Sequence, residues 1–262
     1  MNRVLRAEWV KLRTMPSSGW LLLAFASAIV ALGAATTSTV DVSQCRSPTE
    51  CFEDTTKLSL TGVWVGQVAA VVVGALAITN EYGTGMIHTT LTAIPQRGRL
   101  LAGKAVIVVG TTLLAATIGV LASLLAARNI LPGNGFSAAN GYPPLSLADE
   151  PTLRAAAGTV AYLGLLAVLG LGIGAMIRDS AVAIIATLAL LFGAPLVAFT
   201  ISDPVWLERL EKYSPLSAGL AVQATRDLDS LPIGPLAGLG VTAAYAAAAY
   251  VVALLVLRVR DA

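Results

Sequence analysis

Residues 80–104 read NEYGTGMIHTTLTAIPQRGRLLAGK and lie between two long apolar runs. Met86, Ile87, Leu91 and Ile94 recur at helical spacing, which makes one face of a short helix apolar. Pro95 ends that helix, and Arg97, Arg99 and Lys104 lead the chain back into an apolar segment. A short amphipathic helix with a basic exit, set between two membrane spans, reads as a platform on the cytoplasmic face of a bilayer. Such a platform is placed to receive force from a soluble partner. An ordinary interfacial linker is the alternative.

The rest of the chain supports the bilayer. Of its 262 residues, 56% are hydrophobic and 12% charged, and the mean hydropathy is +0.78. Soluble domains carry about a quarter charged residues, so composition alone points to a membrane protein. Six segments lack Asp, Glu, Lys, Arg and His: approximately 18–37, 58–79, 105–127, 155–177, 181–201 and 234–257. Each is close to the ~20 residues a helix needs to cross the hydrocarbon core. Backbone polar groups in lipid are satisfied only in helices or closed barrels, and unbroken apolar runs select helices. The fold class expected is an all-α integral membrane protein with six spans, forming one domain over 1–262. No cleavable signal peptide is expected, because the basic start precedes an apolar run longer than a signal core.

Orientation follows from the cationic residues. With the N-terminus inside, inner segments hold ten of the seventeen Lys and Arg, and outer segments hold eleven of the fifteen acids. The positive-inside rule therefore places both termini in the cytoplasm. Residues 1–16 read as an interfacial amphipathic helix, with Leu5, Trp9 and Leu12 on one face and Arg3, Arg6, Lys11 and Arg13 as cationic partners. A plain basic tail is the other reading. Cys45 and Cys51, the two cysteines, fall in the first outer loop, where a disulfide persists. They form a small bridged loop or remain two free thiols. Two cysteines make a poor metal site and the single His is on the other side, so no metal is expected.

Residues 177–180 form a tight inner hairpin, and 128–154 an irregular outer loop. In the last outer loop, Trp206, Leu210 and Tyr213 share a helical face. The stretch LSAGLAVQAT after Pro215 is apolar but too short to span. It either dips into the outer leaflet or packs on the protein. Small residues four apart predict close helix packing: Gly62, Gly66, Ala70 and Gly74; Ala115, Gly119, Ser123 and Ala127; Gly170 and Gly174. Pro195 is expected to kink span five.

Absences narrow the function. Coupled transporters and proton pumps place ionisable groups in their spans, and the six apolar segments contain none. There is no HExxH, GxSxG or GxxxxGK[ST] pattern, so peptidase, esterase and ATPase chemistry lack their signatures. His88 has no evident carboxylate partner and reads as an interfacial polar residue. The chain is expected not to be an enzyme.

The opening RAEWVKLRT, the SSGWLLLAF that follows, and ITNEYGTGMIHTTLTAIPQRGRLLAGKA after span two resemble bacterial ABC transporter permeases of the type-2 export family. The likeness is closest to the short six-span permeases of actinobacteria and covers essentially the whole chain. The resemblance implies a half-transporter: two six-span permeases, alike or different, paired with two cytoplasmic ATPase subunits that carry ATP and Mg. It implies a bacterial cell membrane, outward transport, and no nucleic-acid partner. Carried onto matching positions, Glu81, Tyr82, Gly85, Met86, Ile87 and Leu91 form a coupling platform for the ATPase, with Arg97 and Arg99 at its membrane return. The segment before span six corresponds to a small outer helical hairpin. The charge-free spans suit a hydrophobic or amphipathic cargo such as a drug, lipid or peptide. The alternative reading is a non-transporting membrane scaffold or sensor partner.

Overall fold

A computed structural model describes residues 2–14, 16–42, 53–94, 96–140 and 142–260; Cys45, Cys51 and Pro95 lie outside these. Among the described residues all regular structure is helical. Six helices are long and apolar enough to cross a membrane: α2 (Pro16–Thr39), α4 (Val63–Gly83), α6 (Arg97–Ile130), α7 (Glu150–Ile177), α8 (Ser180–Ala198) and α11 (Pro235–Arg260). They correspond one to one with the six apolar runs. Five shorter helices complete the set: α1 (Asn2–Thr14), α3 (Thr55–Ser59), α5 (Met86–Ala93), α9 (Pro204–Tyr213) and α10 (Pro215–Leu220).

The helices do not stop where the apolar runs stop. Hydrophobicity marks the part of a helix that meets hydrocarbon, whereas backbone hydrogen bonds carry the helix further. With 34 residues, α6 is about 51 Å long, well beyond the ~30 Å hydrocarbon core. It therefore takes in Arg97, Arg99 and Lys104 at one end and Arg128 at the other. Likewise α4 runs on through Asn80 and Glu81 to Gly83. At its other end α4 begins at Val63, not 58, because Thr55–Ser59 forms the separate α3, whose N-cap Asp54 accepts from the backbone of Lys57. The six apolar segments are free of ionisable groups as expected, and Glu81 and Lys104 enter the helices only where α4 and α6 run on beyond those segments.

The core centres on α7, the most deeply buried of the six spans. Its Leu163, Leu166, Leu169 and Leu171 are excluded from solvent, and it packs on α4, α11 and α6. Lipid tails are as apolar as leucine, so this association rests on close contact rather than on expulsion of water. The small-residue faces supply that contact. A methyl group on Gly74 would strike the carbonyl of Ala167, and one on Gly170 would lie 2.5 Å from the Val71 oxygen. Replacing Gly170 with Leu is therefore expected to force α4 and α7 apart and cost about 1–3 kcal/mol, read as a lower thermal midpoint of the purified chain in detergent.

A polar pair is set in the same interface. The Tyr162 hydroxyl donates to Gln67 Oε1 at 2.8 Å, with both residues fully buried. The α7–α8 hairpin is as tight as expected: Arg178, at φ +66°, and Asp179 alone separate α7 from α8, and Asp179 caps α8 through Val182. Between α8 and α11, α9 presents Trp206 and Tyr213 on its exposed side. The following segment, α10 and the 3-10 turn Ala221–Gln223, is buried against α7 and α11. The stretch LSAGLAVQAT thus packs on the protein.

Candidate functional site

The turn after α4 builds the site. Thr84 closes α4 with its N–H on the Asn80 carbonyl, and Gly85 then adopts φ +70°, a left-handed conformation that favours glycine. That reversal starts α5, so the chain turns sharply instead of continuing along the axis of α4. The eight residues of α5 end at Ala93, beside Pro95 in the sequence. Ile87 and Thr90 point into the protein, while His88, Thr89 and Thr92 are exposed and Met86 is 38% exposed. The apolar face predicted from Met86, Ile87, Leu91 and Ile94 is thus split. Ile87 is buried, Leu91 and Ile94 are half-buried, and Met86 joins the outward side.

Two features hold this turn. The guanidinium of Arg178, in the α7–α8 hairpin, lies 5.0 Å from the Tyr82 ring, and Ser180 Oγ donates to Thr79 Oγ1 at 2.8 Å. The end of α4 is therefore fastened to the α7–α8 hairpin. Arg97, at the return, donates from Nη1 to the Leu257 carbonyl at 2.5 Å, which ties α6 to the end of α11. Arg99 is exposed.

Beneath the turn lies a buried cluster of four charged side chains. Lys104 Nζ donates to Glu81 Oε1 at 2.6 Å, to Glu8 Oε2 at 3.0 Å and to the Ala77 carbonyl at 3.2 Å. All three of its N–H groups are used, and its side chain is only 1% exposed. Lys11 Nζ bridges Glu81 Oε1 at 2.8 Å and Glu8 Oε1 at 3.1 Å. Two carboxylates and two ammonium groups balance, which makes burial tolerable. Burial alone would lower the Lys11 pKa, but hydrogen bonds and charge from Glu81 and Glu8 outweigh it and hold the pKa above the ordinary 10.5. Its contribution to stability is therefore complete below pH 10.5 and lost only as the pH passes the raised value.

This cluster changes the roles of the residues expected to couple. Glu81 sits inside as the anchor joining α1, α4 and α6, whereas the neighbouring outward surface consists of Met86, His88, Thr89 and Thr92. The packed face of α1 is Val4, Glu8 and Lys11, at helical spacing; Val4 fits against Gly103 of α6. Trp9 faces outward at 51% exposure and Leu5 is half-buried, while the side chain of Leu12 lies outside the described residues. Glu8 and Lys104 were not singled out as a pair by sequence reasoning. The available signal was an acid on an otherwise basic helix, one turn from Lys11.

Six apolar helices around a small-residue core, with a short amphipathic helix at the turn between the second and third, define a multi-pass helical membrane protein. Residues 4–194 match the family model described as ABC-2 family transporter protein. The chain belongs to the ABC-2 transporter family and is a permease component of an ABC transporter. Permeases of this family work with ABC ATPase partners. Comparison with curated proteins found no match.

Proposed function

We propose that this permease is the membrane half of an ATP-driven bacterial exporter. Two permease chains pair in the cell membrane and engage two cytoplasmic ATPase subunits, which hold ATP and Mg. The chain itself performs no chemistry. The cargo is an amphipathic or hydrophobic molecule of the drug, lipid or peptide kind. The observation that carries this reading is the mechanical form of the α4–α5 turn: α5 displays Met86, His88, Thr89 and Thr92 outward, and its base is fastened to three other elements. Push on α5 passes into α4 through Gly85, and from α4 into α1 and α6 through the ion cluster and into α8 through Ser180. A loosely attached linker would absorb the same displacement.

The family resemblance assigns the second permease chain to the α4 and α8 side. There α8 is little covered by the rest of the chain, and Trp64 and Phe192 meet at 6.3 Å between ring centres on that side. Both termini and the α5 turn face the cytoplasm under the positive-inside rule.

Single cysteines at Met86, Thr89 and Thr92, in a chain with Cys45 and Cys51 replaced, test the reading in native membranes. Crosslinks to an ABC ATPase subunit whose yield changes with nucleotide are expected. Cytoplasmic labelling without any ATPase crosslink would favour the scaffold alternative, and labelling from outside only would invert the topology.

A further inference from the structure

The ion cluster borders a cavity of about 160 Å³ at the α4–α5 end of the bundle. Its charged wall is Glu8, Lys11, Glu81 and Lys104, and Asn80 stands at its rim. Its apolar wall comes from α2, α4 and α6, chiefly Leu21, Leu22, Val73, Leu76 and Ile107. Each of these five is half-buried and Asn80 is exposed, so the cavity is not sealed from its surroundings. Ligand sites for whole drug-sized molecules run to roughly 300–1,000 Å³. This one takes part of a molecule, with the remainder outside it.

The hydrogen-bond inventory of the cluster is uneven. Lys104 has no donor left. Lys11 uses two N–H groups on Glu8 and Glu81 and keeps one on a side chain that is 28% exposed. Glu81 Oε1 accepts from both lysines, yet Glu81 Oε2 is buried without a hydrogen-bond partner. A buried carboxylate oxygen without a donor is costly and calls for an occupant that supplies one. Glu81 itself lines the cavity, so an occupant of that space is placed to supply the missing donor.

We infer that this cavity binds the headgroup of an inner-leaflet lipid that carries a primary ammonium beside a phosphate, of the phosphatidylethanolamine kind. The ammonium donates to Glu81 Oε2, the phosphate accepts the remaining N–H of Lys11, and the chains leave along the apolar wall. A cluster of zero net charge with one acceptor and one donor open matches a zwitterion of zero net charge. An anionic lipid would leave Glu81 Oε2 unserved and face two carboxylates. A choline lipid has no N–H to give. The site stands apart from transport; that its lipid belongs to the inner leaflet rests on the orientation proposed above.

Native mass spectrometry of the purified full-length chain tests it, with short-chain phosphatidylethanolamine, phosphatidylcholine and phosphatidylglycerol added in equal amounts. Phosphatidylethanolamine is expected to bind about tenfold more tightly than either of the others, the size of one hydrogen bond to a charged group. Glu81→Gln should remove the preference, but that variant strips a charge from the cluster and is prone to misfold. Ala77→Leu provides the second arm, because it fills the cavity and leaves all four charged side chains in place. It should lower phosphatidylethanolamine binding to the level of phosphatidylcholine. Equal binding of the three lipids, or an undiminished preference in Ala77→Leu, would overturn the proposal. Soluble phosphoethanolamine separates the two sources of this headgroup: full competition by it at equal concentration would also overturn the lipid assignment.

Discussion

Replacing Lys104 with Met lowers the unfolding free energy of the purified chain by about 3–5 kcal/mol, the range seen when one partner of a buried ion pair is removed. The loss is not chiefly that of attraction. Lys104 is 1% exposed and satisfies Glu8 Oε2 and Glu81 Oε1 directly. Without it, two carboxylates share a single ammonium, that of Lys11, in a space that water reaches poorly. Adding Glu81→Gln to Lys104→Met restores the balance, since Glu8 and Lys11 remain as a neutral pair 3.1 Å apart. The double variant is therefore expected to be more stable than Lys104→Met alone, although it loses more hydrogen bonds. Denaturation in mixed micelles measures both. A Lys104→Met chain within about 1 kcal/mol of the parent would show that the cluster is solvated, and a double variant worse than the single would remove charge imbalance as the cause.

The effect extends beyond stability because of what the cluster joins. Glu8 and Lys11 come from α1, Glu81 from α4 and Lys104 from α6. Apart from this cluster and the Val4–Gly103 contact, α1 presents mainly exposed side chains, among them Arg6, Trp9, Val10 and Arg13. The ion cluster is thus the principal rigid link between the first helix and the helices on either side of α5.

The six spans were legible in the sequence because charge-free runs of that length have one stable form in lipid. Residues 86–94 were legible for a similar reason: helical apolar spacing closed by a proline leaves little choice of structure. What was not legible was which side of each amphipathic element turns inward. Leu5 and Trp9 made the more hydrophobic face of α1, yet Val4, Glu8 and Lys11 are the packed face. In a bilayer apolar residues are content facing lipid, so hydrophobicity does not point to the core as it does in water. The family resemblance carries Glu81 over as a contact for the ATPase partner, whereas its side chain is buried. Its burial depends on Lys104, 23 residues away, and on α1, and no local pattern announces that pairing. The small-residue faces were legible as close contacts, but which helix met which was not.

Asp54 shows the same limit at the other end of the molecule, where its loss has the second large effect. Its Oδ1 accepts from Lys57 N at 3.0 Å and from Thr225 Oγ1 at 2.7 Å, while Oδ2 accepts from Thr225 N at 2.6 Å and Arg226 N at 3.3 Å. One carboxylate therefore starts α3 and clasps the stretch that follows α10, 171 residues further along. Beside it, Arg154 Nη2 donates to the Ala224 carbonyl at 2.7 Å, from the first turns of α7. Hydrogen bonds to a charged group contribute about 1.5–3 kcal/mol each when buried. Asp54 is half-buried and its four bonds act together, so Asp54→Ala is expected to cost about 2–4 kcal/mol. Asp54→Asn should recover little of this, because its amide nitrogen would meet the backbone N–H groups that Oδ2 now accepts. The loss should be local. Amide exchange at residues 221–226 is expected to quicken by tens to hundreds of times, as the clasp that closes this segment opens more often. Exchange in α5, on the opposite side, should be unchanged. Equal acceleration at both ends would mean that Asp54 supports the whole fold. No acceleration at either would mean that the buried packing of Leu216, Ala218 and Val222 against α7 and α11 holds this segment without the carboxylate.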